Sequence, residues 1–218
     1  MKRMSTYTTF GPPYPSRINV ERALPEHVPD VGPEVHRVLS IAYISMLEER
    51  MNVIPEGIVE QEVFKVPSEQ TERMHNAMTK NAFAKSSYWI ARADMPEYNW
   101  GVCGVIKTTP SRPSKLKPWV ENCFLNDIAA AVEGHGLGSV LMYTALSDYD
   151  DDRKVLLNAF VGNDVANQWF EDLGFETQDI KVDPFMIGEI ALPQVRYEAV
   201  AVGGVKEALQ AARPWLRG

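Results

Sequence analysis

The sequence predicts a mixed α/β fold, a central sheet flanked by helices, and three observations carry that expectation. An apolar run from Cys123 through Phe124 and Leu125 to Ala130 precedes a loop with glycines at alternate positions, Gly134, Gly136 and Gly138. A second apolar run, Val155 to Val161, leads into Gly162-Asn163-Asp164 and a helical pattern that Gly174 terminates. Around these two strand–helix units, the order strand, helices, three strands, helix, strand, helix, final strands fits one sheet layer between helices.

The elements follow in chain order. Gly11-Pro12-Pro13-Tyr14-Pro15 marks residues 1–16 as an irregular leader before a strand at Arg17 to Ala23. Val35 to Met51 reads as a helix, with Val35, Val38, Leu39, Ala42, Met46 and Leu47 on one side. Ser68 to Phe83 is a weaker helical pattern whose Met74 and Met78 suit packing. Ser87 to Ala93 and Trp100 to Thr109 alternate or run apolar like adjacent strands, and the prolines of Thr108 to Pro118 predict an exposed connection. Leu137, Val140, Leu141, Thr144, Ala145 and Asp148 recur at helical spacing after the glycine loop. In Pro193 to Val202, Val195, Tyr197 and Ala199 alternate with polar residues as in a strand. A C-terminal helix over about 205–216 would lay Val205, Leu209 and Trp215 on the sheet or on a partner subunit of a homodimer.

Composition narrows the class. With 218 residues and 45% hydrophobic content, the chain can bury one substantial core, so a single domain over 1–218 is expected. Its 22 basic and 29 acidic residues leave a net charge of −7, which argues against nonspecific nucleic-acid binding and permits attraction of cationic amines. Cys103 and Cys123 are isolated, and His27, His36, His75 and His135 form no ligand cluster; neither a metal site nor a disulfide framework is expected. The N-terminus continues into polar and proline-rich sequence instead of a signal-peptide core, and no run is apolar enough for a membrane span. A cytoplasmic protein is the expectation.

The glycine loop carries the chemistry. Backbone N–H groups in the first turn of a helix lack intrahelical partners and form the positive end of its dipole, so they welcome an anion. Glycines at 134, 136 and 138 allow a tight turn and close approach of a diphosphate to the amides of residues 134–139, including His135, Leu137 and Ser139. No lysine follows as in a nucleotidase P-loop, and the Gly-x-Gly-x-Gly spacing differs from the dinucleotide fingerprint.

This loop, with Asn163-Asp164-Val165-Ala166 and Trp169-Phe170-Glu171-Asp172-Leu173-Gly174-Phe175, resembles the GNAT superfamily of N-acetyltransferases. The family loop is Arg or Gln followed by Gly-x-Gly-x-Gly or Ala, and the later segment is similar to Asn-x-x-Ala-x-x-x-Tyr-Glu-x-x-Gly-Phe. The matching motifs cover about residues 120–176. The resemblance implies a mostly antiparallel sheet whose two central strands splay to admit a pantetheine arm. It further implies acetyl-coenzyme A as cofactor, with Ile128, Ala129 and Ala130 bordering the slot and Asn163 and Phe170 touching the arm. The implied reaction is acetyl transfer to a small-molecule or peptide amine by direct attack in a ternary complex; the alternative is a noncatalytic acyl-coenzyme A-binding or regulatory domain.

Three residues depart from the pattern. Glu133 stands where the family places Arg or Gln, so a carboxylate lies beside the proposed diphosphate and cannot donate to it. Phe170 takes the place of a tyrosine that often protonates the departing thiolate, leaving water, another hydroxyl such as Tyr143, or direct departure of a thiolate stabilised by the site. Asn126 falls near a position where relatives often carry glutamate; it cannot act as a base but can orient water. Strand alternation turns Asp127 to the opposite face, in a capping or sheet-edge role, unless a bulge reorients it toward catalysis.

Overall fold

The computed structural model describes residues 4–8, 17–64, 66–80, 85–94, 101–111, 122–199 and 201–217. Its frame is an eight-stranded sheet in the order β1-β2-β3-β4-β5-β6-β10-β7. These strands are β1 (Met4–Thr8), β2 (Arg17–Arg22), β3 (Ser87–Ala93), β4 (Val102–Ser111), β5 (Asn122–Ala130), β6 (Val155–Phe160), β7 (Glu176–Gln178) and β10 (Gln194–Ala199). All neighbours are antiparallel except β5 and β6, which run parallel. A separate hairpin pairs β8 (Phe185–Ile187) with β9 (Ile190–Leu192).

The leader expected to be irregular contains β1, which pairs with β2 from Met4↔Glu21 to Thr8↔Arg17. Its Thr6 and Tyr7 are β-formers, and pairing with β2, which makes β1 the edge strand, outweighs the proline signal farther along. The rest of that leader, 1–3 and 9–16, lies outside the described residues, as does 112–118 of the expected proline-rich connection, whose first residues, Thr108 to Ser111, instead continue β4.

Helix α1 (Val28–Ile44) starts seven residues before the expected Val35. Pro29 sits in its first turn, where a missing N–H costs nothing, and Pro33 forfeits one helical bond. Val28 and Val31 extend the buried stripe of Val35, Val38 and Leu39, so tertiary burial outweighs the Gly32-Pro33 break. Helix α1 continues as one π-helical stretch, Ser45–Arg50, closed by Met51 N–H donating to Met46 O at 2.9 Å. Short α2 (Ile58–Glu62) and α3 (Pro67–Thr79) follow; α3 buries Met74 and Met78. The α1–α3 crossing is tight: a Cβ on Gly32 would lie 2.4 Å from Thr71 Oγ1.

Helices α1–α3 and the β8–β9 hairpin cover one face of the sheet, burying Val35, Leu39, Met74, Tyr88, Ile90 and Val105. Helices α4 (Leu137–Leu146), α5 (Asp164–Asp172) and α6 (Val202–Ala212) bury the other face around Trp89, Leu125, Leu141 and Leu157. The C-terminal helix begins three residues earlier than expected and packs Val202, Val205 and Leu209 inward, covering its own sheet.

Candidate active site

Parallel pairing of β5 with β6 covers only Cys123↔Val155, Phe124↔Leu156 and Leu125↔Leu157. Beyond Leu125 the strands part. The physical cause lies on the other edge of β5, where Lys107 faces Asn126 but Val105 faces Ala129, so Ile106 opposes both Asp127 and Ile128. Such a bulge bends its strand away from the neighbour. Asp127 takes the strain at φ +46°, a left-handed conformation that Asp tolerates better than most residues. Past Leu125, the β5 backbone edge that faced β6 has no strand partner and borders a cavity of about 120 Å³.

Asn126, Asp127 and Ile128 form one wall of this slot, and Asn158 and Phe160 of β6 face them. Tyr43 and Met46 close it from the α1 side, and Asn163, Ala166 and Phe170 from α5. Of the residues implied to border the slot, Ile128 does so. Ala129 is instead buried in the α1-side core, and Ala130 lines a different cavity, of about 510 Å³, with Ala131 and Glu133.

The bulge settles the orientation of Asp127. Its carboxylate borders both the slot and a second cavity of about 170 Å³ lined by Phe64, Tyr88, Lys107 and Phe185. Burial raises its pKa above the usual carboxylate value, and Lys107, at 3.8 Å, pulls in the opposite direction. The side chain retains 31% exposure because it faces cavities and not packed atoms. Burial, reinforced by the charge of Asp127, pushes the Tyr43 and Tyr88 hydroxyls up, so both stay protonated at neutral pH. Asn126 spends its amide on Thr109 Oγ1 and Phe124 O, both at 3.3 Å.

One expectation is corrected. Tyr143 is not among the slot-lining residues; it lies on α4 and its hydroxyl accepts from Gln210 Nε2 of α6 at 2.7 Å. Helical spacing puts Tyr143 on the side of α4 that meets α6. Asn163 occupies the N-cap position of α5 but makes no capping bond with its side chain. Its Nδ2 instead donates to Met46 Sδ at 3.0 Å, and its buried Oδ1 finds no hydrogen-bond partner among the described residues. An orphaned acceptor on a slot wall suits a ligand N–H.

The glycine loop lies beyond the end of β5. Gly134 and Gly136 adopt φ +76° and +74°, and Gly136 is the N-cap of α4. A side chain at either position would be strained. The amides of Leu137, Gly138 and Ser139 fall in the first turn, free of intrahelical acceptors. The side chains of Leu137 and Ser139 are buried, so only their backbone is available to an anion. His135 turns its Nδ1 to Glu133 O at 2.7 Å, and the Glu133 carboxylate forms an ion pair with Arg50. Phe170 is buried against Trp169, Phe175 and Tyr197.

Sequence reasoning missed Tyr43, Arg50 and Lys107. Tyr43 falls between Leu39 and Leu47 on the apolar stripe of α1, where helical spacing marks it as a packing residue, and no local motif marks the other two. A basin of about 420 Å³ between Arg22, Thr108, Asp148 and Arg153 touches neither slot nor loop. Cys103 and Cys123 are buried, and burial pushes both thiols up to about 12, which keeps them protonated. Among the described residues no group of three or more His, Cys, Asp or Glu is disposed to hold a metal ion, and no helix is long and apolar enough to cross a membrane.

Comparison of the sequence with family models and with curated proteins finds no match. Solved structures do match. The spermidine/spermine N-acetyltransferase SpeG from Vibrio cholerae, in mutant forms, superposes with TM-score 0.52 at 14% identity, covering 90% of this chain and 98% of that one. RimL, a ribosomal L7/L12 alpha-N-protein acetyltransferase in complex with coenzyme A, gives TM-score 0.55 at 12% identity over 85% of this chain and 95% of its own. The smu.2055 protein from Streptococcus mutans UA159 gives 0.51 at 14% identity over 83% and 98%. With its mixed, mostly antiparallel sheet parted between β5 and β6, the chain shares the fold of SpeG and RimL.

Proposed function

We propose that the protein is an N-acyltransferase that moves an acetyl group from acetyl-coenzyme A to a small-molecule or peptide amine. The observation that carries this reading is the parting of β5 from β6 at Leu125, which leaves an open strand edge beside the Asp127 carboxylate. Three features fit a pantetheine-linked diphosphate: the unpaired edge for the arm's amides, the orphaned Asn163 Oδ1 for an N–H, and the first-turn amides of α4 for the phosphates. Bound acetyl-coenzyme A supplies an activated acetyl thioester. Residues of this chain do the rest.

Asp127 reaches the slot and the cavity behind it, so it can take a proton from an amine entering that cavity. Its raised pKa brings it closer to that task than an ordinary carboxylate. Free backbone N–H groups along β5 beyond Leu125 can orient the carbonyl under attack. The protonated Tyr43 hydroxyl borders the same space and is available as a donor.

The test is acetyl-coenzyme A with a panel of polyamines, amino acids and peptides, read by thiol release and by the mass of the product. A product heavier by the exchange of one amine hydrogen for one acetyl group, formed only with active protein, supports the reading. A second reading, a noncatalytic acyl-coenzyme A-binding or regulatory domain, draws on one observation: the slot wall carries the Phe170 ring and no hydroxyl at that position. Tight binding of acetyl-coenzyme A with no turnover on any amine would favour it.

A further inference from the structure

We propose that Arg50 is a phosphate-binding residue of the coenzyme A site, held against the glycine loop by Glu133. The inference rests on the coenzyme A reading above and adds a cation that the loop itself lacks. Glu133, 83 positions away in sequence, forms an ion pair with the Arg50 guanidinium at the start of that loop. The loop's carboxylate thereby becomes an anchor for a positive charge brought from another element.

The segment that carries Arg50 is built to hold it there. Ser45–Arg50 is π-helical, a form that is rare and frequently found at functional sites. Met46 and Arg50, four residues apart, share a face: Met46 lines the slot and touches Asn163, and Arg50 touches Glu133 at the loop. Between them Glu48 is buried and accepts from the amides of Gly57 at 2.9 Å and Val59 at 2.8 Å, which pins the segment to the start of α2. Asn163 Oδ1, in a residue only 8% exposed and without a partner among the described residues, independently marks the slot that Met46 lines as awaiting a ligand.

Arg50 is suited to share its donors. A guanidinium has five N–H groups, and Glu133 engages one of them, so others remain for phosphate oxygens. Glu49 and Glu133 are the acidic residues among those described that line the cavity of about 510 Å³ with Ser45 and Ala130. Without Arg50, the phosphates would meet these carboxylates with only backbone amides in opposition.

Calorimetry with coenzyme A on wild-type protein, Arg50→Met, Glu133→Gln and the double variant tests this. Arg50→Met should weaken coenzyme A by about 10-fold to 100-fold, the range for one charge-assisted hydrogen bond. Part of that loss comes from leaving Glu133 unneutralised, and the double variant removes that part. The double variant should still bind about tenfold more weakly than Glu133→Gln alone. Dephospho-coenzyme A separates the sources: equal loss on both ligands assigns the contact to the diphosphate, and loss with coenzyme A alone assigns it to the 3′-phosphate. Arg50→Met binding like wild type, or the double variant binding like Glu133→Gln, would overturn the proposal while leaving the coenzyme A reading intact. Wild-type protein that binds no coenzyme A would overturn both.

Discussion

Lys107 Nζ stands 3.8 Å from Asp127 Oδ2, although strand register sets Lys107 opposite Asn126. The bulge makes this pairing by placing Asp127 outside the alternation of β5, at φ +46°. One residue thus combines backbone strain, a raised pKa and access to two cavities, the combination expected of a functional group more than of a structural one.

Asp127→Asn tests that combination, because asparagine tolerates the left-handed conformation and lacks the charge. Burial raises the folded-state pKa of Asp127 above its value in the unfolded chain. Above the unfolded value the folded protein therefore holds more protons, and this group's contribution to stability falls as pH rises through the window up to the folded pKa. Asp127→Asn should flatten that decline, so its Tm exceeds that of wild type at neutral pH. Turnover on a productive amine should drop by about 10²-fold to 10⁴-fold. Unchanged turnover would remove Asp127 from the chemistry, and an unchanged pH–Tm curve would show that its carboxylate is well solvated.

Two glycines of the same loop should respond differently. Gly136→Ala forces a Cβ into φ +74°, at a cost of about 1–2 kcal/mol, and disturbs the turn that presents the α4 amides. Both Tm and coenzyme A affinity should fall. Gly138 lies inside α4, where a Cβ would meet the Trp169 ring at 3.4 Å, an ordinary contact. Alanine is the better helix former by about 1 kcal/mol, so Gly138→Ala should keep or raise Tm and retain affinity. Thermal melts and calorimetry decide, and the reverse ranking would mean that the loop does not present its amides as described.

The loop and the Asn163–Phe175 segment were legible because short-range spacing encodes them: glycines in left-handed turns and an amphipathic helix ended by Gly174 at φ +84°. Pairings across the fold were not legible. Arg50 with Glu133 and Met46 with Asn163 depend on where α1 crosses the sheet, and neither has a local signature. Asp127 shows the limit of periodicity, since alternation gives the wrong face whenever a bulge intervenes and the bulge depends on the β4 register. Tyr143 shows the opposite error: a hydroxyl close in sequence to the loop turns toward α6.

Phe170→Tyr asks whether a hydroxyl at this wall assists departure of the thiolate. Phe170 borders the slot but is also buried against Trp169, Phe175 and Tyr197. With the new hydroxyl in the slot, turnover should rise, by up to about 10²-fold for one general acid, with an added alkaline limb in the pH–rate profile. A Tm lowered by the roughly 1–3 kcal/mol cost of an unsatisfied buried hydroxyl, with rate and profile unchanged, would show that the ring edge faces the core.

Asn163→Ala addresses the orphaned acceptor. The side chain makes no capping bond, so α5 loses little when it is removed, and deletion also takes away a buried carbonyl oxygen that has no partner. Tm should therefore stay near that of wild type. If an amide N–H of the pantetheine arm meets Oδ1, coenzyme A affinity should fall by about 2-fold to 10-fold, the equivalent of one net hydrogen bond of roughly 0.5–1.5 kcal/mol. ADP, which carries a diphosphate but no arm, should bind the variant and the wild type equally. An equal loss for both ligands would trace the effect to a shifted α5 and not to Oδ1, and unchanged affinity for coenzyme A would leave Asn163 as a partner of Met46 alone.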